Sequence, residues 1–306
     1  MATYKLLSPK SFVTLLQTET NSRIIPIDAT WYLPNLKRDG HEEFLTQERI
    51  PRALYFDIDG IKDRESPYPH MAPSLSTFNK AMSQLGVRRD DILVVYDRIG
   101  NFSAPRCAWT LALFGHPTIY LLNNFNVYKK EGYPLDTTTI SKDSPYHETN
   151  YASDVDLSKQ EIVPYDQMFQ LVQNDALAKE YNVFDARALG RFEGKDPEPR
   201  PGLPSGHIKG AQPLPFTEVL DSNDKTYPED EVKMNVKLQD AFRKLNNQFD
   251  PKKPTICMCG TGVTGAIIKN ALEISGVPNV KLYDGSWTEW ALKAGDDSSL
   301  IAKNRE

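Results

Sequence analysis

Pro254-Thr255-Ile256-Cys257-Met258-Cys259-Gly260-Thr261-Gly262-Val263-Thr264-Gly265 is an apolar run that ends in a cysteine and then breaks into small residues. Beyond it, Ala266-Ile267-Ile268-Lys269-Asn270-Ala271-Leu272-Glu273-Ile274 places apolar residues at 267, 268, 271, 272 and 274, the spacing of a helix. The whole segment reads as strand, tight loop, helix. Glycines at 260 and 262 let the loop turn its N–H groups inward. The helix N-terminus adds about half a positive charge at the same point. A cysteine there is expected to be a thiolate at neutral pH, and Cys259 is that cysteine. Cys257, still inside the strand, reads as a small core hydrophobe. The two form a C-x-C pair. Only Cys107 remains as a third sulfur and no histidine lies near in sequence, which argues against a structural zinc site and leaves no metal expected.

Working outward, the second half of the chain repeats the first. Asn182-Val183-Phe184-Asp185 echoes Ile25-Pro26-Ile27-Asp28, and Ile208–Phe216 echoes an expected strand at Ile50–Asp57. Thr255–Cys259 echoes Leu93–Asp97, and Val280–Gly285 echoes Ile119–Asn124. The spacings agree, with 69 residues from Asp28 to Asp97 and 74 from Asp185 to Cys259. Strands alternate with helices predicted at Ser8–Leu16, Ser76–Leu85 and Ala104–Phe114, so each half is expected to be an α/β unit on a mainly parallel sheet. Ligands bind such sheets at the carboxyl ends of strands, where Asp97 and Cys259 both fall. A carboxylate cannot do thiolate sulfur chemistry, so the first half is expected to be a supporting unit. Its loop, Arg98-Ile99-Gly100-Asn101-Phe102-Ser103, lacks the small residues expected to close a cradle of amides. The stretch from about Asp136 to Ser158 is rich in Ser, Thr, Asp and Asn without periodicity and reads as the linker. The resulting division is 1–140, a linker at 141–160, and 161–306. A long irregular loop, Asp59 to Ser74 with prolines at 67, 69 and 73, is of the length that usually has a use.

Composition narrows the function. The chain has 306 residues, a net charge of −5, 25% charged and 40% hydrophobic residues, as in ordinary globular proteins of two domains. The acidic balance argues against nucleic acid as a direct ligand. Three cysteines make no disulfide framework and point to a reducing compartment. No apolar run reaches membrane-spanning length, and the N-terminus lacks a secretory h-region, so folded sequence is expected to begin at once.

Four stretches carry a resemblance: Gly190-Arg191-Phe192-Glu193-Gly194-Lys195-Asp196-Pro197-Glu198-Pro199-Arg200, Ser205-Gly206-His207-Ile208-Lys209-Gly210, Cys259-Gly260-Thr261-Gly262-Val263-Thr264, and Tyr283-Asp284-Gly285-Ser286-Trp287-Thr288-Glu289-Trp290. With them the chain resembles the tandem rhodanese-like thiosulfate and 3-mercaptopyruvate sulfurtransferases over nearly its whole length. It is most similar to fungal members of the mercaptopyruvate branch that serve tRNA wobble-uridine thiolation. The resemblance implies two tandem rhodanese-like domains, each a mainly parallel sheet flanked by helices, with the first non-catalytic. It implies that Cys259 takes sulfur from a small-molecule donor as a persulfide, with no other cofactor. Gly260, Gly262, Val263 and Thr264 would then line the substrate loop, and Arg191 and Arg200 would clamp the donor's carboxylate. Asp59, His70 and the Thr261 hydroxyl would form a proton relay. Thiosulfate-preferring members carry Arg-Lys after the cysteine and mercaptopyruvate-preferring members Gly-Ser. Here Gly260-Thr261 is uncharged and keeps a hydroxyl, which implies mercaptopyruvate.

Implied acceptors are cyanide, thioredoxin or a protein such as a ubiquitin-activating-like enzyme of tRNA thiolation. A non-enzymatic relay loaded by a cysteine desulfurase is the alternative. The implied compartments are the cytoplasm and also the mitochondrion. Arg187 reads as structural, His207 as a turn residue, and Trp287 and Trp290 as packing for the last helix. A phosphatase of related fold would need an arginine at position 265, which is Gly265.

Overall fold

The structure is a computed structural model that describes residues 4–295 and 297–304. In the first half β1 (Lys5–Leu7), β2 (Ile24–Asp28), β3 (Leu54–Tyr55), β4 (Ile92–Tyr96) and β5 (Thr118–Leu122) form a parallel sheet in the order β1-β5-β4-β2-β3. In the second half β6 (Asn182–Asp185), β8 (Gln212–Pro213), β9 (Thr255–Met258) and β10 (Val280–Leu282) form a parallel sheet in the order β10-β9-β6-β8. The remaining strands, β7 (His207–Ile208) and β11 (Ile301–Ala302), make a separate antiparallel ribbon. Both α/β sheets carry helices, and β4 and β9 are buried throughout, which is why they read as continuous apolar runs.

The repeat holds in register. Asp28 lies opposite Tyr96 and Asp185 opposite Met258, so Asp97 and Cys259 leave equivalent strands at the same level. The counterpart of β1 has shrunk to one parallel bridge, Ile162 with Leu282. Two expected strands are shorter than the sequence suggests. Ile50–Asp57 gives the sheet only Leu54–Tyr55, because Arg52 sits in the left-handed region at φ 62° and turns the chain first. Ile208–Phe216 is divided at Gly210 (φ 90°), so that Gln212–Pro213 joins β6 while His207–Ile208 joins β11.

The helices that follow the two equivalent loops, Ala104–Leu113 and Gly265–Ile274, pack against each other across the seam between the halves. All ten residues of the first are buried, as are Gly265–Leu272 of the second. Both helices are thus buried on nearly every face, and one apolar core runs through both halves. The polar stretch expected as linker is an extended strap on the first half. Ser144 donates to the Leu85 carbonyl at 2.7 Å, Ser153 to the Phe114 carbonyl at 2.5 Å, and the Tyr151 amide to Ser83 Oγ at 2.9 Å. The strap's serine side chains thus supply partners to the carbonyls that end the helices Leu75–Gln84 and Ala104–Leu113. No helix among the described residues is long and apolar enough to cross a membrane.

Candidate active site

Cys259 is the first residue after β9 and is 2% exposed at the floor of a cleft of about 550 Å³. Its backbone is held on both sides by the Tyr283–Trp290 motif. The Cys259 amide donates to Ser286 Oγ at 3.1 Å, and its carbonyl accepts from the Trp287 amide at 2.9 Å. The Gly260 carbonyl accepts from the amide and the hydroxyl of Thr288, at 2.9 and 2.8 Å. The loop's carbonyls are thereby turned outward. Gly262 has φ 78°, and a Cβ there would meet Arg106 and Asp284 at 2.8–2.9 Å, so only glycine fits. Among the described residues, the N–H groups of Gly260, Thr261, Gly262, Val263 and Thr264 have no hydrogen-bond partner. Cys257 and Cys107 are buried core sulfurs, and burial pushes both thiols well up from their ordinary range.

The first half shows what such a loop holds. Asp97 occupies the position of Cys259, and its carboxylate accepts from the amides of Ile99, Gly100, Phe102, Ser103 and Ala104 at 2.7–2.9 Å. This corrects the expectation that the Arg98–Ser103 loop cannot close an amide cradle. Left-handed Asn101 (φ 56°) and Gly100 (φ 102°) provide the turn that small residues were expected to provide. Burial pushes the Asp97 carboxyl up, and the amides pull it back down. The cradle is sealed from the second half: Asn101 Nδ2 donates to the Lys225 carbonyl at 3.0 Å, and Asn123 exchanges two bonds with the backbone of Tyr227.

Arg191 and Arg200 both reach the cleft. Arg191 is forked onto Glu198, with Nε–Oε1 at 3.1 Å and Nη2–Oε2 at 2.6 Å. Glu198 also accepts from Arg187 at 2.8 Å, and Arg187 is fully buried on Asp185 at 2.6 Å and over the Trp287 ring at 4.4 Å. Arg187 is structural, as expected, and Glu198 ties the two arginines together. Arg200 makes no hydrogen bond or ion pair among the described residues. It is half-buried beside Cys259, and burial lowers its guanidinium below the ordinary value. A cation left unpaired in a cleft is poised for an anion. The remaining expected loop residues, Gly260, Thr261, Val263 and Thr264, also line the cleft, whereas Gly262 turns toward Arg106.

The irregular loop from the first half brings Asp59 and His70 across the seam. His70 Nδ1 lies 2.9 Å from Thr261 Oγ1, and His70 Nε2 lies 2.9 Å from Asp59 Oδ1. A carboxylate only accepts, so Nε2–H donates to Asp59 and Nδ1 accepts from the Thr261 hydroxyl. The His70 hydrogen bond holds Asp59 below the usual carboxylate range. Burial lowers His70 below its ordinary value, with Asp59 partly offsetting it, so the ring is neutral at pH 7. Trp31 donates from Nε1 to Asp59 Oδ2 at 2.9 Å and meets the His70 ring edge-on at 4.7 Å.

Trp31 and Arg106 escaped sequence reasoning, because nothing local marks a partner 28 or 178 residues away. His207 stacks on Phe192 at 3.8 Å, and the Trp287 and Trp290 indoles donate to the carbonyls of Pro204 and Leu300, which places all three in packing. No group of three metal-ligating side chains comes together among the described residues.

The rhodanese-like domain family matches residues 170–293. The chain is 56% identical over 306 residues to a Saccharomyces cerevisiae protein named thiosulfate sulfurtransferase TUM1, covering all of both chains. It is 36% identical over 280 residues to a mitochondrial thiosulfate/3-mercaptopyruvate sulfurtransferase of Arabidopsis thaliana, covering 87% of this chain and 71% of that one. The crystal structure of the Saccharomyces cerevisiae Tum1 protein superposes with a TM-score of 0.95 at 57% identity, over 99% of each chain.

Proposed function

The chain belongs to the tandem rhodanese-like thiosulfate/3-mercaptopyruvate sulfurtransferases and is a sulfurtransferase, and from that premise we propose that Cys259 carries the sulfur as a persulfide held by the amides of its own loop. The observation that carries this reading is the Asp97 cradle. A cysteine persulfide and an aspartate side chain both end in an anionic atom two bonds from Cβ. In the first half that anion is built in and five amides are satisfied. In the equivalent loop of the second half, the amides of Gly260–Thr264 await one.

With 3-mercaptopyruvate, the Cys259 thiolate attacks the donor sulfur and the carbon–sulfur bond breaks toward carbon, giving the pyruvate enolate. The donor's thiol proton ends on that carbon, so one thiolate and one mercaptopyruvate become one persulfide anion and one pyruvate. Thr261 and His70 move this proton, and Asp59 holds the histidine tautomer. Arg200 and Arg191 orient the carboxylate. The loop has no cation for a second negative charge, which favours mercaptopyruvate over thiosulfate.

Cys259 lies at the bottom of the cleft, so acceptors must be slender: cyanide, a small thiol, or an extended protein tail or thioredoxin-type thiol. We propose delivery to a protein acceptor that feeds tRNA 2-thiouridine formation, in the cytoplasm and the mitochondrion. The test is mass spectrometry after mercaptopyruvate treatment. Cys259 should gain one sulfur, the Cys259→Ser variant should gain none and lose turnover, and Cys107→Ser and Cys257→Ser should keep most of it. Persulfide on Cys257 or Cys107 with Cys259 bare would overturn the reading. A pure relay would accept sulfur from a desulfurase yet turn over no mercaptopyruvate.

A further inference from the structure

His70 comes from the first half, whereas the hydroxyl it meets comes from the second. Something must therefore hold a 2.9 Å contact between elements 191 residues apart. The backbone at His70 is left-handed, with φ 63°, a conformation uncommon outside glycine that is favoured by external support. That support is Arg106, on the seam helix Ala104–Leu113, with its guanidinium 3% exposed. Nη2 donates to the His70 carbonyl at 2.5 Å. Nη1 donates to Asp284 Oδ1 at 2.5 Å and to the Gly262 carbonyl at 3.3 Å. Asp284, 1% exposed, uses its other oxygen to accept from the Ala72 amide at 2.7 Å. Together the two side chains grip the loop at His70 and two residues beyond it, and the cysteine loop at Gly262, one residue after Thr261. The planar fork of arginine can meet carbonyls on two elements at once, which a lysine cannot.

We infer that Arg106 and Asp284 are positioning residues: they set His70 against Thr261 across the seam and thereby tune the proton-requiring half-reaction. The inference rests on the relay reading above, and donor chemistry makes it testable. Sulfur transfer from mercaptopyruvate moves a proton from sulfur to carbon. Transfer from thiosulfate breaks the sulfur–sulfur bond with both electrons leaving on sulfite, and no proton moves. A misplaced His70 therefore slows the first donor and not the second.

The experiment measures single-turnover persulfide formation from each donor, on one preparation of each full-length variant, so that any loss of folded protein cancels in the ratio. Arg106→Lys keeps a charge beside Asp284 but cannot reach the Gly262 and His70 carbonyls together. Asp284→Asn keeps an acceptor for the Ala72 amide but loses the ion pair. Each should lower the saturating mercaptopyruvate rate relative to the thiosulfate rate by about tenfold, with half-saturation for mercaptopyruvate moving less than about twofold. His70→Gln is the reference and must lower the same ratio. If it does and neither clamp variant does, the positioning inference is wrong while the relay stands. If His70→Gln leaves the ratio unchanged, the relay reading itself fails. Equal loss with both donors in the clamp variants would make Arg106 and Asp284 purely structural and overturn the inference.

Discussion

Replacing Arg200 with alanine should separate binding from folding more cleanly than any other change in the cleft. Arg200 makes no hydrogen bond or ion pair among the described residues, so its removal takes no hydrogen-bond partner from a buried carboxylate. Stability should therefore stay within about 0.5 kcal/mol of wild type, the range of substitutions that break no internal contact. The functional loss is one charge-assisted hydrogen bond to the donor carboxylate, about 1.5–3 kcal/mol. At about 1.4 kcal/mol per factor of ten, kcat/KM for 3-mercaptopyruvate should fall roughly 10- to 150-fold. Arg200→Lys should recover part of this, because a point charge replaces a planar fork. Arg191→Ala differs in kind. Glu198 keeps its bond to Arg187, but its second oxygen, freed of Arg191, turns a fixed negative charge toward an anionic donor. Arg191→Ala should therefore lose at least as much as Arg200→Ala. The assay is steady-state kinetics at low ionic strength with a thermal melt on the same samples. A kcat/KM within about twofold of wild type for Arg200→Ala would refute the assignment, since a clamp worth a charge-assisted bond cannot be silent.

Acid sensitivity should trace in part to His116, which is 4% exposed, donates from Nε2 to the Asp91 carbonyl and accepts at Nδ1 from the Tyr151 hydroxyl. Burial lowers it from 6.5 to about 4. Its contribution is whole above pH 6.5 and is lost as pH falls toward 4, roughly 2 kcal/mol by pH 5 and about 3 kcal/mol in all. In urea melts at pH 7.5 and 5.0, His116→Gln should lose less between the two pH values than wild type, and equal losses would exclude His116 as the cause. Asp97→Cys in a Cys259→Ser background should show no turnover. The amide cradle is present, but residue 97 is 1% exposed beneath the Lys225–Tyr227 segment, and turnover would mean a donor can reach it. Gly260→Arg with Thr261→Lys should shift kcat/KM at least tenfold toward thiosulfate, through added positive charge. It should also slow mercaptopyruvate, because a Cβ at 260 stands 3.2 Å from Arg191 Nη2 and the His70 contact to Thr261 is lost. An unmoved donor ratio would place specificity in the arginines instead.

Much of this was legible in one dimension. The apolar runs at 92–96 and 255–258, the glycines at 260 and 262 and the helical spacing after them are local signals. Local signals determined the α/β class, the duplication and the matched positions of Asp97 and Cys259. The resemblance carried by residues 190–200 and 283–290 added the candidate arginines, His70 and Asp59. Backbone conformation outside regular elements was not legible. The Arg98–Ser103 loop looked unfit for a cradle because small residues are only one way to turn amides inward, and Asn101 in the left-handed region is another. Nor did anything local show that Trp31 holds Asp59, or that Arg106 reaches Asp284 across 178 residues. The sequence by itself determined which strand ends in the sulfur proposed to react. Only the tertiary structure decided what surrounds that sulfur, because side-chain partners across the seam are chosen by the packing of two helices, and packing leaves no period in the chain.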